Sequence, residues 1–89
     1  MEKIYLVIKE SNVDGEILFN VVPCISFETA KVVVEMEKEI ILNESHRYKN
    51  YKDHPEEYQF EEDDESVFIK TLCDDYYENI YIQEKEIQY

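Results

Sequence analysis

The sequence predicts an α+β domain of ββαββ order, an antiparallel sheet of about four strands packed on one long helix. Three observations carry that expectation. Runs rich in β-branched and aromatic residues stand near both ends, at 4–8 and 80–87. Between them, residues 27 to about 43 repeat their apolar positions with helical spacing. Neither a Gly/Ser linker nor an internal repeat interrupts the 89 residues, which are therefore read as one domain, 1–89, with an acidic and aromatic loop at about 44–65.

The elements follow in order. Ile4-Tyr5-Leu6-Val7-Ile8 reads as a first strand and 16–22 as a second, ended by Pro23. Asp14-Gly15 lies in the loop of about five residues that joins them, because glycine accepts the positive φ that hairpin turns need. Ser26 is placed to cap the helix. At 100° per residue, Phe27, Ala30, Val33, Val34, Ile40 and Ile41 share an arc of about 140°, opposite Glu28, Lys31, Glu35, Lys38 and Glu39. Glu37 breaks the pattern from inside that arc. Its bland reading is a slight roll of the helix that buries Val32 and Met36 and lets Glu37 reach solvent; its sharper reading is a buried carboxylate with a raised pKa. Residues 66–73 form the next strand, with Val67, Ile69 and Cys73 on one face and Phe68, Lys70 and Leu72 on the other. After a turn at 74–79, residues 80–87 alternate as the fourth strand. Strand order is not encoded in these patterns, and parallel pairing of the two hairpins through the helix is one arrangement they allow.

Composition narrows the function classes. The formal charge is −13, and apolar residues make up 44%, too many for a chain disordered throughout. By segment the charge is −5 over 1–45, +2 over 46–55 and −10 over 56–89. Such acidity disfavours a free-standing nucleic-acid binder. One glycine leaves no phosphate-binding loop. No apolar run approaches the ~20 residues that span a bilayer. The apolar stretch near the start is too short for a signal peptide and no small-residue cleavage site follows it, so a cytoplasmic location without membrane contact is expected. Cys24 and Cys73 are read as buried, reduced thiols.

Chemical motifs are sparse. His46, His54 and the two cysteines lack the paired spacing of a zinc site. The run Glu61-Glu62-Asp63-Asp64-Glu65 lacks the alternating ligands and glycine of a calcium loop. Ser11, Ser26, Ser45 and Ser66 stand in turn or cap contexts, none in a nucleophile elbow. The expectation is a protein that is not an enzyme and uses neither cofactor nor metal.

Two features remain. The first is the acid-rich last third, where Glu61, Glu62, Asp63, Asp64, Glu65, Asp74, Asp75 and Glu78 are interleaved with Tyr58, Tyr76 and Tyr77. Carboxylates at intervals on a scaffold imitate phosphate spacing and are steered into basic grooves, while tyrosines supply desolvated anchors. The second is the basic aromatic stretch holding Arg47, Tyr48, Lys49, Tyr51 and Lys52, a candidate single-strand RNA contact that equally suits a solvated helix end.

In its length, acidity, tyrosine-rich acidic segments and hairpin-helix-hairpin plan, the chain resembles the small anti-defence proteins of phages and mobile elements, anti-CRISPR and anti-restriction inhibitors among them. That resemblance implies an inhibitor that occupies a basic surface of a nucleic-acid-handling complex such as an RNA-guided nuclease. The alternative is a small interaction module, homodimeric through an uncovered sheet face or edge, with Tyr5, Val7, Leu18, Phe68 and Leu72 turned away from the helix.

Overall fold

A computed structural model of the chain describes residues 3–73 and 76–87. Its elements are β1 (Lys3–Val13), β2 (Glu16–Cys24), α1 (Phe27–Glu44), β3 (Tyr58–Glu62), β4 (Ser66–Thr71) and β5 (Tyr77–Glu86), with a 3-10 turn at Pro55–Glu57 ahead of β3. The α+β class and the antiparallel sheet on one helix agree with the sequence. The strand count does not: the sheet has five strands, ordered β2-β1-β5-β4-β3, so the element order is ββαβββ. The added strand, β3, lies within the segment expected to be a loop. Every pairing is antiparallel, including β1 with β5, which joins the two halves of the sheet without a parallel crossover.

The first hairpin is tighter than expected. Val13 pairs directly with Glu16, and both turn residues take positive φ, 54° at Asp14 and 85° at Gly15. That is the two-residue turn whose twist matches the flanking strands. Pro23 lies within β2 rather than ending it. An edge strand tolerates proline where the missing N–H would point outward.

Ser26 caps α1 as expected, its Oγ accepting from the Thr29 N–H at 3.1 Å. The helix crosses β1 and β5 near the middle of the sheet, and Ala30, Val34 and Ile41 meet Val7, Val67, Ile69 and Ile80 in the core. Ile40 is exposed and Leu42 buried, so the apolar arc is turned from the expected one. Val32 and Met36 are exposed as well, which corrects the rolled-helix reading of Glu37. Glu37 stays on the sheet side and pairs with Lys9 of β1 at 3.2 Å.

Two further expectations are corrected. Cys24 is buried, but Cys73 lies past the end of β4 and is exposed; both are free thiols. The face assignment of the first hairpin is reversed: Val7 is in the core, Tyr5 packs against Phe27 with ring centroids 5.7 Å apart, and Leu18 shares their side of the sheet. The uncovered face carries Leu6 and Ile8 of β1, Ile17, Phe19 and Val21 of β2, and Phe68 of β4.

Candidate functional site

The acidic run forms the tip of the β3–β4 hairpin. Asp63 organises it: its Oδ1 accepts from the backbone N–H groups of Glu65 and Ser66, each at 2.8 Å, and from Ser66 Oγ at 3.0 Å. The Asp63 N–H in turn donates to the Ser66 carbonyl at 3.0 Å. The Glu65 amide above all, with the Ser66 hydroxyl and amide, holds the Asp63 carboxyl below its ordinary range and keeps it ionised. Glu61, Glu62, Asp64 and Glu65 are exposed around this turn. Glu62 is bound by Lys38 at 3.2 Å, which also holds Glu35 at 2.8 Å.

Among the described residues, no three or more His, Cys, Asp or Glu side chains gather closely enough to hold a metal ion. Beside the tip, Glu65 and Glu84 border a shallow cleft of about 370 Å³ floored by Tyr5, Phe27 and Ile82. Glu84 is a member of this acidic end that sequence reasoning missed. It is brought there because β5 runs back past the start of β1, where it pairs with Lys3 at 3.3 Å.

The rest of the expected acidic surface lies elsewhere. Asp74 and Asp75 fall outside the described residues. Tyr76, Tyr77 and Glu78 stand beside Thr71, Lys70 and Ile69, roughly 13 to 20 Å along β4 from the acidic tip. Glu78 turns toward the helix side and accepts from Ser11 Oγ. Burial pushes its carboxyl above the ordinary range, against the opposing influence of Ser11, Lys9 and Arg47.

The expected tyrosine anchors are engaged within the fold. Tyr58 Oη donates to the Arg47 carbonyl at 2.7 Å, and its ring stands edge-on to Tyr51. Tyr76 donates to Asp14, with the Arg47 guanidinium 3.5 Å above its ring centroid. Tyr77 lies on the uncovered face, donating to Glu10 and facing Phe68 with centroids 6.0 Å apart. The acid-and-tyrosine set is therefore split, and among its described residues Glu61 to Glu65 form the contiguous exposed part.

The basic stretch is corrected in its aromatic half. Tyr48 is 2% exposed, and Tyr51 stacks on Phe60 at 4.7 Å. Neither ring is free to receive a base. Arg47 sits on Tyr76, Lys52 reaches Asn43 at 3.5 Å and Lys49 is exposed. Burial pushes the Tyr48 hydroxyl far above its ordinary pKa. Around these rings the segment between α1 and β3 is clamped to the core.

Sequence reasoning also left unassigned the exposed row Ile17, Phe19 and Val21 on β2, at 53%, 64% and 48% exposure. Its trace in the sequence is the absence of any charged side chain over residues 17–27. No helix among the described residues is long and apolar enough to cross a membrane. Comparison of the chain with protein-family models, curated proteins and solved structures gave no match.

Proposed function

We propose that this chain is a non-catalytic acidic protein that docks its β3–β4 tip on a basic surface of a nucleic-acid-handling protein, such as an RNA-guided nuclease, and obstructs that surface. The observation that carries the reading is the display of Glu61, Asp64 and Glu65 outward around a turn held by Asp63. A preorganised anionic turn loses little freedom on binding and is steered to positive grooves. The serine hydroxyls support the same reading, since three of them have structural duties: Ser11 to Glu78, Ser26 to the helix cap and Ser66 to Asp63.

The test is binding to a panel of purified RNA-guided nucleases, with and without guide. Replacing Glu61, Asp64 and Glu65 by lysine leaves Asp63 to hold the turn and reverses its charge. Binding is expected to fall by about a hundredfold and, in the parent chain, to weaken steeply with salt. Salt-insensitive binding that survives the triple reversal overturns the reading.

A further inference from the structure

The strand at the other border of the sheet, uncharged from Ile17 to Cys24, leads beyond that function. We infer that β2 pairs with β2 of a second copy of this chain, antiparallel about a two-fold axis through Phe19, to form one continuous sheet. Among the described residues β2 pairs only with β1. The tight turn fixes Val13 and Glu16 as a hydrogen-bonded pair, and alternation from there aims the N–H and C=O groups of Ile17, Phe19 and Val21 away from β1. At Pro23 only the carbonyl faces outward.

A two-fold axis at Phe19 sets Phe19 opposite Phe19 of the partner subunit and Ile17 opposite Val21 of the partner subunit. This register satisfies all three outward residues with roughly six inter-chain hydrogen bonds and asks no N–H of Pro23. It also brings the exposed rings and β-branched side chains together on one face, the cross-strand pairs that stabilise sheets.

Charge selects the occupant. Two copies at −13 each repel, so they can meet closely only where the chain carries no charge, and residues 17–27 are such a stretch. In the proposed register the two Glu16 residues stand about 20 Å apart, beyond the Debye length of about 8 Å. The opposite border, β3, is five residues long and bears Glu61 and Glu62, which guard that edge against pairing.

Sedimentation velocity from about 1 µM to about 1 mM, at physiological salt, tests the inference. A reversible shift from monomer to dimer is expected. Phe19→Lys, which sets like charges face to face on the axis, and Ile17→Lys should each weaken the dimer by at least about tenfold while circular dichroism stays unchanged. In a Cys73→Ser background, Phe19→Cys should oxidise to a covalent dimer and Glu16→Cys should not. Monomer throughout the concentration range overturns the inference, as does a dimer indifferent to both lysine variants or one cross-linked through residue 16. None of these outcomes bears on the nuclease-binding test, which reads the opposite border.

Discussion

Glu78 is a carboxylate whose environment opposes its charge. Burial raises its folded-state pKa above the ordinary value of 4.5, so the folded chain holds the proton more tightly than the unfolded one. At neutral pH the ionised carboxylate therefore lowers stability, and that cost is relieved as pH falls through the raised value toward 4.5. Glu78→Gln keeps an acceptor for Ser11 and is expected to stabilise the chain at pH 7 by less than about 1 kcal/mol, because the site is only partly shielded from water. Chemical denaturation of both forms across pH should show the difference vanish in acid; a variant less stable at neutral pH would mean that Ser11, Lys9 and Arg47 outweigh burial. The sequence marked the neighbouring Glu37 as anomalous because helical periodicity placed it among apolar residues. It could not supply Lys9 as its partner, since that contact depends on which side of β1 meets the helix. Both sides of β1 are apolar, Leu6 and Ile8 on one and Tyr5 and Val7 on the other, so alternation alone does not decide.

At the scale of elements, what was legible is what local chemistry dictates. Ser26 and Asp14-Gly15 mark a helix start and a hairpin turn through backbone geometry that needs no tertiary context. Ser26→Ala is expected to cost about 1 kcal/mol, read from the denaturation midpoint, because the Thr29 N–H loses its acceptor. A Cβ at Gly15 would meet nothing within 4 Å, so substitution there would strain only the backbone. The third strand was not legible. Tyr58 and Phe60 alternate over too few residues to show a period, and the glutamates that follow resemble a solvated loop. Its strand character comes from β4, with which all five of its residues pair, and from Tyr48 and Tyr51 packing behind it. The acidic tip was readable as a run of charge but not as a place: Glu84 joins it, and Glu78 leaves it, through the antiparallel return of β5.

Across the whole molecule, the two borders of the sheet carry opposite chemistry, and salt distinguishes them. The charge of −13 is spread over a body of 47 × 25 × 18 Å, so most carboxylates feel others within or near a Debye length. The described ion pairs, Lys3 with Glu84, Lys9 with Glu37, Lys31 with Glu28 and Lys38 with Glu35 and Glu62, lie at least partly in solvent. Such solvent-exposed pairs contribute little, and like-charge repulsion from the remaining acids opposes their sum. Raising sodium chloride from about 20 mM to about 500 mM screens both, and the excess of repulsion decides the sign: the melting temperature should rise by several degrees. The same screening should tighten pairing through β2, where two acidic bodies meet on the uncharged residues Ile17 to Val21, and loosen docking of the β3–β4 tip, where opposite charges attract. Melting, sedimentation and nuclease binding measured over one salt series should thus give slopes of positive, positive and negative sign. A melting temperature that falls with salt would show that the ion pairs outweigh the repulsion. Self-association that weakens with salt would show contact through charged groups rather than through Ile17, Phe19 and Val21.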